Sequence, residues 1–222
     1  MTGSAEADGS GRQGVMQDWM RALAEYAVEA IVVLGPDPFG AREDRLVLSL
    51  HPSVLFEAAS ALAESRDFGA PWRESDAPLV AWQDITKSAP DLPSRWRELW
   101  LAHGFRSVVR VAFPLASGRT FECYLFSRRQ WHERADAAAL AWSALNVWPL
   151  LKRSIAQERS PLSPRELECL TLAFDGMTAR QSGVKIVCSE RTVNFHLANA
   201  MEKLRVESKI AAIQRACWFG LI

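Results

Sequence analysis

Near the end of this 222-residue chain, polar and apolar side chains recur at a spacing that separates them onto two faces of a helix. The apolar set is Val193, Leu197, Ala200 and Leu204. If that stripe packs inward, the opposite face carries Arg191, Asn194, Phe195, Ala198 and Glu202. Arginine can pair with guanine, asparagine with adenine, and phenylalanine can contact the methyl group of thymine. This outer face therefore has the chemistry to read base pairs, although Phe195 could instead pack on a neighbouring domain or subunit.

Basic side chains around the same helix are candidates for contacts with DNA phosphates, and the alternative for each is a solvated surface. They are Lys185, Lys203, Arg205 and Lys209. Asn199 is a further candidate for DNA contact. The net charge of the whole chain is zero, but residues 150–222 carry a net charge of +4 and residues 1–149 a net charge of −4. This asymmetry favours DNA contact at the C-terminal end.

The elements that hold this helix begin with recognisable caps. Ser163 with Glu166, and Thr178 with Gln181, have the spacing of capping boxes, and Ser189 can cap the helix described above. Leu167, Leu170, Thr171 and Phe174 form the predicted inner face of the first helix. A fourth helix is predicted from Ser208 to Trp218. Four short helices in about sixty residues indicate a helix-turn-helix bundle.

The motifs in this region resemble the LuxR family of bacterial regulators. They are Leu162-Ser163-Pro164-Arg165-Glu166, Gly176-Met177-Thr178, Ser189-Glu190-Arg191-Thr192-Val193, Lys203-Leu204 and Gly220-Leu221-Ile222. The stretch Val193 to Asn199 is most similar to the quorum-sensing branch. The resemblance implies that the third helix enters the major groove and that a homodimer binds a two-fold operator in double-stranded DNA. It also implies dimer contacts by the fourth helix, where an apolar face could alternatively pack only on the first helix; that face comprises Ile210, Ile213, Ala216 and Cys217.

One triplet departs from the family pattern. The family usually has Glu-Ile-Ala in the second helix, where this chain has Gln181-Ser182-Gly183. Because glycine in a helix costs about 1 kcal/mol relative to alanine, the triplet puts the stability of the second helix in question, and the sequence leaves open whether DNA binding is weaker.

The N-terminal region has the pattern of an α/β sensor domain with an antiparallel sheet between helices. A helix is predicted from Met16 to Ala30, strands over 31–34 and 46–50, and loops with short helices over 66–93. Two further strands, 107–114 and 120–127, form a hairpin, and a long helix follows from Glu133 to Gln157. The hairpin and the absence of an acidic pair after the first strand exclude a phosphate-receiver domain.

This region resembles the acyl-homoserine-lactone-binding domains of quorum-sensing regulators, and more loosely GAF or PAS sensors. Asp67 and Trp82 are fifteen residues apart, the spacing that those domains keep between the Asp and the Trp that grip the ligand. The resemblance implies ligand contacts by both, with Trp72, Trp96 and Tyr124 as further pocket-lining candidates. A carboxylate can accept a hydrogen bond from the amide N–H of such a ligand, and an indole N–H can donate to its carbonyl group. Apolar side chains can hold its acyl tail.

We therefore expect a disordered tail over residues 1–14, a ligand-binding and dimerisation domain over 15–157, a linker over 158–161 and a helix-turn-helix domain over 162–222. Because residues 1–14 are polar and have neither a basic start nor an apolar core, we expect no signal peptide. The sequence has no nucleotide-binding glycine loop, GxSxG motif or Cys/His cluster. The expected protein is a cytoplasmic transcription regulator, not an enzyme, with no cofactor, metal or membrane association. It responds to a small apolar signal such as an acyl-homoserine lactone. The alternatives are a ligand-independent regulator and an antagonist that forms heterodimers with other regulators.

Overall fold

The computed structural model describes residues 11–40, 44–65, 79–87, 94–115 and 118–222. The chain divides into two compact units, Met1–Leu151 and Lys152–Ile222. The longest helix, Arg134–Arg159, has 26 residues. Within the described residues, no helix has the combination of length and apolar character required to cross a lipid bilayer.

The N-terminal unit is built on a five-stranded antiparallel sheet. Its strands are β1 (Val28–Pro36), β2 (Arg45–Leu50), β3 (Val80–Asp84), β4 (Ser107–Pro114) and β5 (Thr120–Ser127), in the spatial order β2-β1-β5-β4-β3. Its helices are α1 (Arg12–Ala22), α2 (Phe56–Glu64), α3 (Arg95–Ala102) and α4 (Arg134–Arg159). β4 and β5 form the predicted hairpin, and Gly118 in its turn has the positive φ that glycine tolerates. The predicted fold class is confirmed.

Helices pack on both faces of this sheet. One face contributes Val32, Tyr124 and Phe126 to an apolar cluster with α2 and with Trp96 and Trp100 of α3. On the other face, Phe113 and Phe121 lie against the ring of Trp148 in α4. Trp19 of α1 donates a hydrogen bond to Ser143 of α4 at 2.9 Å. β1 is buried on both faces, which explains its nearly continuous apolar sequence.

Three details of the N-terminal predictions are wrong. The first helix begins at Arg12, so residues 12–14 are helical rather than a tail; residues 1–10 lie outside the described residues. That helix ends at Ala22, Ala27 adopts a left-handed conformation, and Ala30 belongs to β1. β3 replaces part of the predicted loop, because backbone pairing with β4 forms a strand where the sequence has little apolar alternation.

The C-terminal unit contains the four predicted helices. They are α5 (Pro164–Phe174), α6 (Ala179–Lys185), α7 (Glu190–Lys203) and α8 (Lys209–Phe219). Both predicted capping boxes are present, and Ser189 caps α7 by accepting a hydrogen bond from the Thr192 amide at 3.0 Å.

The predicted inner face of α5 is only partly correct. Leu170 is buried, but Leu167 and Thr171 are half-buried and Phe174 is 56% exposed. The buried face of α5 instead includes Glu166, Cys169, Leu170 and Leu172. The prediction follows the apolar period, so it does not include the charged Glu166.

Candidate functional site

The α7 helix presents the candidate base-reading residues to solvent. Its apolar stripe, Val193, Leu197, Ala200 and Leu204, is buried as predicted. Arg191, Asn194, Phe195, Ala198 and Glu202 are all exposed. The helix therefore has a solvent-exposed outer face opposite its buried stripe.

Phe195 is the unusual member of this outer face. Its side chain is 61% exposed, between the exposed Asn194 and the half-buried His196. The rings of Phe195 and His196 meet edge to face with centroids 5.9 Å apart. Asn199, also a candidate, is half-buried at the margin of the face. Exposure of a large aromatic ring costs free energy in water, so this residue favours a face that is covered by a partner.

The predicted basic residues lie in two kinds of environment. Lys185 in the last turn of α6, Arg205 and Lys209 are exposed. Lys203, the last residue of α7, instead binds the carboxylate of Glu166 with Nζ 2.8 Å from Oε2. Its ammonium group is thus engaged within the domain.

The turn between α6 and α7 explains the departure at Gly183. A Cβ on Gly183 would lie 2.7 Å from the carbonyl oxygen of Cys188, closer than real Cβ atoms approach. The amide of Cys188 donates a hydrogen bond to the carbonyl of Gly183 at 2.8 Å. Glycine therefore permits the close approach of two backbone segments, and α6 is formed despite the triplet.

The outer face of α8 differs from the predicted dimer face in one residue. Ile210 is 67% exposed, and Ile213 and Cys217 are partly exposed. Ala216, predicted on the same face, is fully buried in the domain core. The helix packs on α5 with one side and leaves the side of Ile210 open.

The ligand-binding candidates are only partly brought together. Trp96 and Tyr124 are buried in one cluster, each with its ring near that of Phe126. Trp82 pairs with Val109 and is therefore on the opposite face of the sheet, since residues directly across an antiparallel ladder share a face. Trp82 therefore does not share a face of the sheet with Tyr124, and the ligand contacts of Trp82, Trp96 and Tyr124 stay predictions. Asp67 and Trp72 lie outside the described residues.

A buried charge pair beside Tyr124 was not predicted. Arg110 of β4 and Glu122 of β5 are both buried, and Nε of Arg110 lies 2.6 Å from Oε1 of Glu122. The hydroxyl of Tyr124 donates to Oε2 of Glu122 at 3.2 Å. Burial raises the pKa of Glu122, while Arg110 and Tyr124 act in the opposite direction. The sequence signal is a lone Arg and a lone Glu in two otherwise apolar strands.

Comparisons with known proteins cover the two units unequally. Residues 160–216 match the family described as "Bacterial regulatory proteins, luxR family". The transcriptional activator protein SolR of Ralstonia nicotianae is 32% identical over 129 residues, which are 57% of this chain and 51% of SolR. The HTH-type quorum sensing-dependent transcriptional regulator RpaR of Rhodopseudomonas palustris is 42% identical over 72 residues, 32% of this chain and 30% of RpaR. The chain thus spans about half the length of SolR and about a third of the length of RpaR.

Among solved structures, the crystal structure of Escherichia coli SdiA aligns with 99% of this chain and 93% of its own, at 18% identity and a TM-score of 0.49.

The family match at residues 160–216 includes the capped helices α5 to α7 and most of α8. Residues 160–216, which lie in the C-terminal unit, therefore match the luxR family of bacterial regulatory proteins.

Proposed function

We propose that this protein is a transcription regulator that binds double-stranded DNA through the outer face of α7. The observation that carries the proposal is the exposed set Arg191, Asn194, Phe195 and Ala198 on a helix whose opposite side is fully buried. The names of SolR and RpaR as transcriptional regulators support it. Arg191 and Asn194 supply donors for guanine and adenine, and Phe195 supplies an apolar contact for thymine.

The protein acts as a homodimer on a two-fold site in this proposal. An isologous dimer presents two α7 helices to successive major grooves, and it needs a self-complementary surface. The exposed side of α8 around Ile210 supplies an apolar surface of this kind. No catalytic step is part of the function.

The N-terminal unit senses a small apolar signal, with acyl-homoserine lactones as the first class to test. Tyr124 supports this role because its hydroxyl group contacts Glu122 within an aromatic environment, and Trp96 belongs to the same buried apolar cluster as Tyr124. The alternative is a ligand-independent regulator. It is supported by the hydrogen bonds that Glu122 already accepts from Arg110 and Tyr124 within the sheet, because these bonds need no ligand.

A mobility-shift titration tests DNA binding, and a thermal-shift panel of acyl-homoserine lactones tests the signal. Salt-dependent binding with a preferred sequence is expected, together with an increase in Tm for at least one lactone. Absence of any shift would favour the ligand-independent regulator. An antagonist that forms heterodimers would bind no duplex by itself under any ligand condition.

A further inference from the structure

One carboxylate oxygen of Glu166 connects two separate parts of the helix-turn-helix domain. Oε2 accepts a hydrogen bond from the backbone amide of Ser163 at 2.7 Å and another from Nζ of Lys203 at 2.8 Å. Ser163 is the residue at which the chain enters α5, and Lys203 is the last residue of α7. The entry point of the domain and the end of the candidate reading helix thus share one acceptor.

The environment of Glu166 makes this connection stronger than a surface ion pair. Glu166 is only 3% exposed, whereas Arg165 and Glu168 in the same helix form a solvent-exposed pair. Burial by itself raises the pKa of Glu166, but the hydrogen bonds from Lys203 and Ser163 outweigh it and hold the pKa below the ordinary value of 4.5. Charge-assisted hydrogen bonds at a partly buried site are stronger and less screened by salt than those in water.

A second contact holds the same end of α7. Nη1 of Arg215 in α8 donates to the carbonyl of Leu204 at 3.0 Å, where α7 ends. Basic side chains that bond the last carbonyls of a helix stabilise its C-terminus. The C-terminal end of α7 is therefore attached to both α5 and α8.

This attachment lies at the opposite end of α7 from Arg191 and Asn194. α7 has 14 residues, so it is roughly 21 Å long at 1.5 Å per residue. A tilt of about 10° at the attached end would move the first turn by roughly 3.5 Å over that length. Hydrogen bonds to base edges tolerate much smaller displacements, so the attachment controls whether Arg191 and Asn194 reach bases.

We propose that Glu166 and Lys203 are positioning residues that fix the tilt of α7 relative to the entry of the chain at Ser163. The inference rests on the proposed DNA-binding function and adds a route of regulation to it. A displacement of the segment before Ser163 changes the hydrogen bond from the Ser163 amide to Oε2 of Glu166. Because Lys203 binds the same oxygen, the displacement also shifts Lys203 and with it the end of α7.

The direct alternative is that Lys203 contacts a DNA phosphate, and the two roles give different salt dependences. Loss of a phosphate contact weakens binding to all sequences and lowers the slope of log K against log salt by about 1. Loss of a positioning residue weakens binding to the preferred sequence and leaves both the nonspecific affinity and the slope unchanged.

The test uses the full-length chain and five variants. They are Glu166→Gln, Lys203→Met, the double variant, Lys203→Arg as the conservative variant, and Glu168→Gln as the matched control on the same helix. The probes are a duplex selected by the wild-type protein from a random-sequence library and poly(dI-dC), each titrated by fluorescence anisotropy at several salt concentrations. Hydrogen exchange of the amides in the last turn of α7 is measured in parallel without DNA.

We expect each single loss-of-contact variant to bind the selected duplex about tenfold more weakly, with affinity for poly(dI-dC) and the salt slope unchanged. The double variant should be no weaker than either single variant, because both remove one interaction. Lys203→Arg should recover most of the affinity, and Glu168→Gln should match the wild type. Exchange at the last turn of α7 should be faster in Glu166→Gln and in Lys203→Met.

Equal losses on both DNA probes, a reduced salt slope for Lys203→Met, or additive losses in the double variant would overturn the inference. Lys203 lies at the surface, so Lys203→Met keeps the test valid if Glu166→Gln does not fold. If the wild-type protein selects no duplex, the proposed function fails. In that case hydrogen exchange alone tests the positioning role. Unchanged exchange in both Glu166→Gln and Lys203→Met would show that the ion pair does not hold the end of α7.

Discussion

Val187 adopts a backbone conformation that its own side chain disfavours. Its φ is 57°, in the left-handed region, and its side chain is 91% exposed in the turn before α7. The left-handed conformation costs an L-residue roughly 1–2 kcal/mol, and a β-branched residue is a particular outlier there. The exposed valine recovers little of that cost by burial.

Val187→Asn should therefore stabilise the C-terminal unit by about 1 kcal/mol, because asparagine tolerates this conformation. The measurement is the free energy of opening from hydrogen exchange of peptides in α5 and α7. Val184→Asn is the control, since Val184 is an exposed residue of helix α6 and the two residues have similar helix propensities. A loss of stability at position 187 would contradict the proposed strain.

The buried pair of Arg110 and Glu122 allows a second prediction for single residues. Glu122→Gln leaves the guanidinium buried without a charge partner, so the N-terminal unit should lose about 3–5 kcal/mol. Replacement of both residues by Met and Leu should cost less than this single change. Urea denaturation followed by tryptophan fluorescence reports this unit, which contains eight of the nine tryptophans.

The exposed pair of Arg95 and Glu57 provides the control for that experiment. Glu57→Gln removes a solvent-exposed ion pair and should change stability by less than about 1 kcal/mol. If Glu122→Gln is as mild as Glu57→Gln, the pair does not contribute as a buried charge pair.

Residues near one another in sequence were the most predictable from sequence. The caps formed by Ser163 with Glu166 and by Thr178 with Gln181 require only a spacing of three residues, and both are present. The ion pair of Glu166 with Lys203 joins residues 37 positions apart, so no local pattern indicates it. For the same reason the sequence predicts a DNA contact for Lys203 and does not indicate its ion pair with Glu166.

At the scale of elements, α6 shows how tertiary packing overrides helix propensity. By propensity alone, Gly183→Ala should stabilise the helix by about 1 kcal/mol. The approach of the Cys188 carbonyl to within 2.7 Å of the added Cβ requires a backbone shift, and we expect a net loss of stability instead. Hydrogen exchange of the α6 amides measures the change.

Val184→Ala in the same helix provides the comparison for Gly183→Ala. Its side chain is exposed, so propensity alone should apply and alanine should be neutral or slightly stabilising. A gain of stability for both substitutions would mean that the turn has room for a methyl group at position 183.

Elements with a strong apolar period were predicted well, and elements that depend on partners were not. The hairpin of β4 and β5 and the long helix α4 have runs that define them locally. The edge strand β3 has mostly half-buried residues and exists because β4 supplies hydrogen bonds. The placement of Trp82 on one face and of Tyr124 on the other depends on this ladder, so spacing in sequence could not predict it.

At the scale of the whole molecule, the proposed dimer predicts self-association that depends on α8. Ile210→Asp places a charge at the centre of the exposed apolar side and should raise the dimer dissociation constant at least about tenfold. Sedimentation velocity over a concentration series measures this change. Val184→Asp introduces the same charge at another exposed apolar residue, on α6 of the same unit, and should leave association unchanged.

If both aspartate variants dimerise like the wild type, the dimer does not use the Ile210 side of α8. A wild-type protein that stays monomeric at high concentration would contradict the dimer itself. Neither result tests whether the outer face of α7 binds DNA, which needs a separate measurement.

Sequence-dependent DNA binding by full-length protein is the measurement that tests the account most directly. A duplex selected by the wild type and poly(dI-dC) are titrated with the wild type, Arg191→Ala and Asn194→Ala, and Glu168→Gln at an exposed site on α5 is the control. Losses of about 1–3 kcal/mol are predicted for Arg191→Ala and Asn194→Ala on the selected duplex, with little change on poly(dI-dC) or for the control. Equal losses on both probes, or no salt-dependent binding by the wild type with or without acyl-homoserine lactones, would contradict base reading by α7.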